Sequence, residues 1–181
     1  MRKKSWLDRV PPRIGHYLAG FADGEGSFNV SLRRKDDHTL GWQIVATFNV
    51  SQRDKTVLTL YKRHLGCGRL QPRKDGVWYY VVQNPTALHV RVIPFFRQFS
   101  FLSETKKRNF SIFRTIVSMM TANEHTSPEG LRRIMEIREK LNEGRGRKRK
   151  YELVHYQQYL AENPQRLNAR ALPREKRPWK A

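Results

Sequence analysis

Residues 27–33 alternate in character. Phe28, Val30 and Leu32 fall on one face, and Ser27, Asn29, Ser31 and Arg33 on the other. Residues 42–50 repeat the pattern, with Trp42, Ile44, Ala46, Phe48 and Val50 opposite Gln43, Val45, Thr47 and Asn49. A period of two predicts half-buried strands, and the charged stretch 34–39 between them predicts a hairpin. A second hairpin is expected from 69–73 and 77–83 across Lys74-Asp75-Gly76. Elsewhere the apolar spacing is helical. After Asp54, an N-cap, come Val57, Leu58, Tyr61 and Leu65, ended by Gly66 and Gly68. Asn84-Pro85 opens a short helix with Leu88 and Val92, which Pro94 breaks or restarts. Ser103 reads as the N-cap of a long helix carrying Phe110, Phe113, Ile116 and Val117. Ser127-Pro128 starts another, with Leu131, Ile134, Met135, Arg138 and Leu141 on one side and Gly144 at its end. Leu153, Tyr156 and Leu160 suit a last short helix stopped at Asn163-Pro164.

The stretch 14–26, IGHYLAGFADGEG, differs from all of these. Ile14, Leu18 and Phe21 make an apolar helical stripe. Gly15, Ala19 and Ala22 make a second stripe with almost no side chain, and Gly20 adds a flat spot beside it. The first stripe predicts a core contact and the second a close approach by another helix, with Gly15, Ala19, Gly20 and Ala22 at that interface. Gly24 and Gly26 can take the positive φ that would end the helix. Asp23 and Glu25 lie at that C-terminal end, where the helix dipole disfavours anions. Either both acids are solvated, or a cation sits beside them.

Taken in order, the elements predict an α+β fold, α-β-β-α-β-β-α with further C-terminal helices. The expected divisions are an N-terminal arm (1–13), a globular domain (14–144) and a basic C-terminal extension (145–181), loose beyond 165. The 181 residues carry a net charge of +20. The extension holds 11 Lys+Arg against 3 Asp+Glu, so the globular part is strongly basic too. That charge, spread over strands as well as helices, predicts a polyanionic partner and fits an extended nucleic-acid surface better than a membrane. A single cysteine, Cys67, excludes an internal disulfide and suits a reducing compartment. One cysteine and scattered histidines offer no zinc spacing. No apolar run is long enough to span a membrane.

Residues 18–26, LAGFADGEG, resemble the signature of the LAGLIDADG homing endonucleases. Five of nine positions match the family name letter for letter, and Glu25 replaces an Asp. The element order resembles the single-motif branch from about residue 14 to 141. The resemblance implies a saddle-shaped antiparallel sheet and, since one signature supplies half a site, a homodimer built across the signature helices. It implies Mg²⁺ or another divalent cation held by Glu25 and the Gly24 carbonyl, with Asp23 structural. It implies a polar residue after the second strand, matched by Gln52, and then a basic residue whose expected place is shared among Arg53, Lys55 and the non-basic Thr56. A later lysine is implied in the same site, matched by Lys106 in preference to Lys107.

A β-ribbon can read bases in the major groove, with Arg suited to guanine and Asn or Gln to adenine. The polar strand faces therefore nominate Asn29, Ser31, Arg33, Gln43, Thr47 and Asn49 on the first hairpin. Arg69, Gln71, Arg73, Tyr79 and Gln83 follow on the second. The alternative is a solvated sheet face. The resemblance implies one of two functions: a metal-dependent endonuclease cutting both strands of a long pseudo-palindromic DNA target, or an intron RNA maturase that binds without cutting. The acids favour the first. The expected location is inside the cell with that DNA, in a bacterial cytoplasm or an organelle.

Overall fold

The computed structural model describes residues 5–142 and 149–168. Its centre is a four-stranded antiparallel sheet in the order β1-β2-β4-β3. The strands are β1 (Gly26–Arg34), β2 (Trp42–Gln52), β3 (Arg69–Pro72) and β4 (Trp78–Val82). The helices are α1 (Pro12–Glu25), α2 (Lys55–Leu65), α3 (Pro85–Ala87), α4 (Ile93–Gln98), α5 (Glu104–Thr121), α6 (Pro128–Glu139) and α7 (Leu153–Glu162). Both predicted hairpins form, and the α-β-β-α-β-β-α order holds. None of the described helices is long and apolar enough to cross a membrane.

The core lies between the apolar sheet face and the helices. Phe28 of β1 is its hub, with ring centroids 5.0 Å from Phe113, 5.2 Å from Phe48 and 5.4 Å from Phe110. Asp54 caps α2 by accepting from Thr56 N–H at 2.8 Å, and Gly66 ends it in the left-handed conformation, φ 63°. Asn84 and Ser127 cap their helices as well.

Several expectations need correction. Neither Gly24 nor Gly26 takes a positive φ. The helix runs through Gly24 to Glu25, and Gly26, φ −81°, passes directly into β1. Gly26 is small for a different reason: a Cβ there would lie 2.6 Å from the Ala22 carbonyl oxygen. Of the two readings of Pro94 the restart holds, since it stands in the first turn of α4. A π turn, Leu88–Val92, joins α3 to α4 and absorbs the missing donor. Ser103 makes no side-chain cap on α5. The short helix Pro164–Asn168 continues past 165. The expected stop at Gly144 and the basic run 145–148 lie outside the described residues, as does 169–181.

The small-residue stripe also faces another way than expected. Gly15, Ala19 and Ala22 are buried in this chain's own core. A Cβ on Gly15 would stand 2.4 Å from the ring of Phe99. Of the four residues nominated for a helix–helix interface, only Gly20 is exposed.

Candidate active site and nucleic-acid face

The two acids of the signature separate at the end of α1. Asp23 turns towards α5, where Oδ2 accepts the backbone N–H groups of Leu102 and Ser103, each at 3.0 Å. The Ser103 hydroxyl donates to Oδ1. This explains the missing cap: the serine hydroxyl is already committed to Asp23. An acid at a helix C-terminus costs about 0.3–1 kcal/mol. Hydrogen bonds to a charged acceptor contribute about 1.5–3 kcal/mol each, so the bonds to α5 decide the outcome. Burial pushes the Asp23 carboxyl up, but the Ser103 hydroxyl and N–H, the Leu102 N–H and the charge of Lys106 together hold it below its ordinary value. Glu25, two residues on, stays exposed.

Lys106 comes to the same place from the first turn of α5. Its ammonium donates to the Gly26 carbonyl, at the junction of α1 and β1. Burial lowers its pKa, and the charges of Asp23 and Glu25 oppose that shift. Lys107 points elsewhere and pairs with Glu104 at 2.7 Å. The Asp23 clamp and the Lys106 bond thus tie the signature turn to a helix 80 residues further along.

The bond to Gly26 is the first rung of a ladder along the free edge of β1. Asn142 Nδ2 donates to the Phe28 carbonyl at 2.9 Å, and Arg138 Nε to the Val30 carbonyl at 2.7 Å. Arg138, expected on the inward face of its helix, is buried and also donates to the Tyr151 carbonyl. Burial and the nearby Arg149 lower its pKa. An edge strand presents unpaired carbonyls, and here three of them are capped by side chains instead of by another strand. A groove of about 1440 Å³ follows this edge, lined by Asp23, Gly24 and Lys106 at one end and by Ser27, Asn29 and Ser31 along its side.

The nominated base readers share one sheet face, because the register keeps their phase. Ser27 pairs with Asn49, Asn29 with Thr47 and Arg33 with Gln43. Asn49 faces Val81, which faces Arg69, and Tyr79 faces Gln71. Asn29, Arg33, Arg69, Gln71 and Arg73 are exposed, while Ser31, Gln43, Asn49, Tyr79 and Gln83 are half-buried. Thr47 is buried, at 9% exposure, and accepts from Gln83 Nε2 at 3.3 Å. Gln83 Oε1 accepts from Arg69 at 2.8 Å, so these three residues act as one linked group. The Arg73 guanidinium donates to the Tyr79 hydroxyl and pairs with Asp75 at 3.1 Å.

Gln52 ends β2, two residues past the Val50 that pairs with Gly26, which puts it at the acid end of the sheet. Its side-chain oxygen accepts the Arg53 N–H at 2.8 Å, an ordinary turn contact. Lys55 lies over the Trp78 ring, 3.7 Å from its centroid, and Thr56 is taken up by the Asp54 cap. Of the basic candidates after Gln52, Lys55 is thus held on a ring, and the Arg53 side chain is exposed. Ser103, Arg138 and Asn142 were missed as site-building residues. Ser103 carried a local signal that pointed to a cap, and Arg138 one in its place on an apolar helix face, while Asn142 carried none.

Among the described residues no cluster of three or more His, Cys, Asp or Glu could hold a metal alone. The donors at the turn are all oxygen: one exposed carboxylate and the last-turn carbonyls that a helix leaves unpaired. That set fits a hard cation that keeps most of its waters and shares phosphate oxygens, such as Mg²⁺, and does not fit zinc.

Comparison with known proteins gives the family. The LAGLIDADG endonuclease family pattern matches residues 18–117. Homing endonuclease I-ApeII of Aeropyrum pernix is 33% identical over 115 residues, which cover 62% of this chain and 68% of that protein. The probable intron-encoded endonuclease 2 of Neurospora crassa is 32% identical over 132 residues, and there the match spans only 29% of the relative's length. Among solved structures, the archaeal intron-encoded homing endonuclease I-Vdi141I complexed with DNA is 31% identical. It superposes with a TM-score of 0.75, covering 83% of this chain and 95% of that one. With its signature turn, its sheet order and these matches together, the chain belongs to the LAGLIDADG endonuclease family.

Proposed function

We propose that this protein is a site-specific homing endonuclease. It works as a homodimer on a long, nearly palindromic double-stranded DNA target and hydrolyses one phosphodiester in each strand. The observation that carries the reading is the meeting of Glu25, the Gly26 carbonyl and Lys106 at one end of a continuous polar sheet face. Relatives named as endonucleases, one of them crystallised with DNA, support it.

Cleavage needs charge neutralised on the phosphate and a water made nucleophilic. A divalent ion supplies both when bound. Glu25 and the Gly24 carbonyl are the residues that would hold it. Lys106 contributes a fixed cation beside the scissile phosphate, and its lowered pKa brings proton exchange closer to neutral pH. Asp23 is a positioning residue: it grips the start of α5 and so sets where Lys106 reaches. Asn29, Arg33, Gln43, Asn49, Arg69, Gln71 and Tyr79 present donors and acceptors to base edges, and the Arg69–Gln83–Thr47 group moves as a unit. The exposed side of α1, with Tyr17, Gly20 and Gly24, is flat enough for the same helix of a second copy. The pair would bring two acid turns together over the two strands.

The test is cleavage of a random DNA library by the full chain with Mg²⁺. Recovery of one long, near-palindromic consensus is expected, with no cut molecules in excess chelator. Tight binding of a consensus that is never cut would overturn the nuclease reading and leave a binding protein.

A further inference from the structure

We infer that α7 and the short helix Pro164–Asn168 fix the shape of the β1–β2 turn, residues 35–41, and thereby set base preference at the outer ends of the DNA site. This rests on the reading of the polar sheet face as the DNA-contacting face.

The turn hangs on few bonds of its own: Lys35 N–H to the Gly41 carbonyl at 2.9 Å, His38 N–H to Lys35 at 2.9 Å and Gly41 N–H to His38 at 2.8 Å. Within the turn, Arg34 Nε also donates to Asp36 at 2.8 Å and Lys35 lies 3.7 Å from Asp37. Further support comes from more than a hundred residues away. Arg166 Nη1 donates to the His38 carbonyl at 2.7 Å and to the Thr39 carbonyl at 2.8 Å. Gly41 has φ 71°, and its missing side chain leaves the space taken by Tyr159, whose hydroxyl would be 2.3 Å from a Cβ. The Arg34 guanidinium, at the end of β1, lies 4.0 Å from the Tyr159 ring centroid and 5.3 Å from that of Trp42. Trp42, at the start of β2, meets Tyr151 and Tyr159 edge-on at 5.0 and 5.7 Å. Both strand ends that flank the turn are therefore gripped by the same C-terminal segment.

The position of the turn gives this grip a use. β1 has nine residues between the acid turn and this end. At about 3.3 Å per residue they span roughly 30 Å, or about nine base pairs of B-DNA at ~3.4 Å each. Arg33 and Gln43, paired with each other, stand at this outer end. Their reach towards base edges follows the angle of the turn. The side-chain hydrogen bonds of Arg166 run to backbone carbonyls of the turn, and Arg166 is not one of the buried core residues, so its loss frees the turn while leaving the core side chains in place.

The experiment compares the full chain with its Arg166→Ala variant. Amide hydrogen exchange at 35–41 should rise about tenfold, from the loss of two charge-assisted bonds, with the other amides unchanged. In the library selection, preference at the outermost base pairs should fall by roughly fivefold or more per position. Preferences near the centre and the single-turnover cleavage rate on the favoured site should stay at the wild-type level. Unchanged exchange in the turn, or faster exchange with unaltered outer preferences, would overturn the inference. Arg33→Ala is the control for the underlying reading. If it leaves outer preferences intact, the face assignment fails and this inference falls with it. If Arg33→Ala shifts them and Arg166→Ala does not, only this inference is lost.

Discussion

On its inner side α1 carries Gly15, Leu18, Ala19 and Ala22, and on its outer side Tyr17, Gly20 and Gly24. Both sides carry small residues, yet a Cβ on Gly15 would overlap Phe99 while a Cβ on Gly20 or Gly24 would meet nothing within 4 Å. The acids divide in the same way, since Asp23 is spent on α5 and Glu25 is left open. The lesson is that smallness in a helix marks a close approach without saying whose. The inner face serves the fold of one chain, and the outer face is left exposed, as the proposed dimer requires.

The sharpest test of that division is Glu25→Gln. It should cut the rate of DNA cleavage in Mg²⁺ by roughly 10³-fold or more, with affinity in a gel-shift assay within about twofold. Equal cleavage by the variant would remove Glu25 from the chemistry.

Gly15→Leu and Gly20→Leu test the two faces directly. The first should destabilise the chain by about 3 kcal/mol through overpacking against Phe99, read as a lower urea midpoint. The second should leave the fold slightly more stable, by up to ~1 kcal/mol from helix propensity. In sedimentation it should weaken self-association at least about tenfold, the effect of a mere 1.4 kcal/mol at a tightly packed contact. If Gly20→Leu sediments like the wild type, the outer face is not the interface.

The smallest effect expected is on Asp23. Its folded-state pKa is lowered, so its stabilising contribution is complete above the ordinary value of 3.8 and is lost as pH falls through the lower folded value. Asp23→Asn should cost about 1–2 kcal/mol at neutral pH. The gap to the wild type should close on the acid side of 3.8 in pH-dependent unfolding. A gap that stays constant with pH would show that the carboxylate charge contributes nothing there.

Much of this molecule was legible along the chain because its signals are local. Alternation at 27–33 and 42–50 specifies strands and their polar face, and a one-residue slip would have turned every reader inward. Asp54, Asn84 and Ser127 read correctly as caps because each bonds within three residues of itself. Ser103 misled because its partner, Asp23, lies 80 residues back. Thr47 and Gln83 read as separate contacts, and only strand pairing revealed them as one group with Arg69. In the basic extension past 144 the short helix with Tyr156 read correctly, but its burial against the domain through Tyr156 and Tyr159 did not show along the chain.

By itself, the order of residues determined the element types, the acid turn and the positive charge, all of which depend on neighbours within a few positions. Tertiary structure alone decided which side of α1 faces inward, that Lys106 rather than Lys107 reaches the signature turn, and that Arg166 holds the far end of the first hairpin. Those outcomes depend on contacts across 80 to 128 positions. Such contacts follow from how whole elements pack, and no periodicity along the chain encodes them.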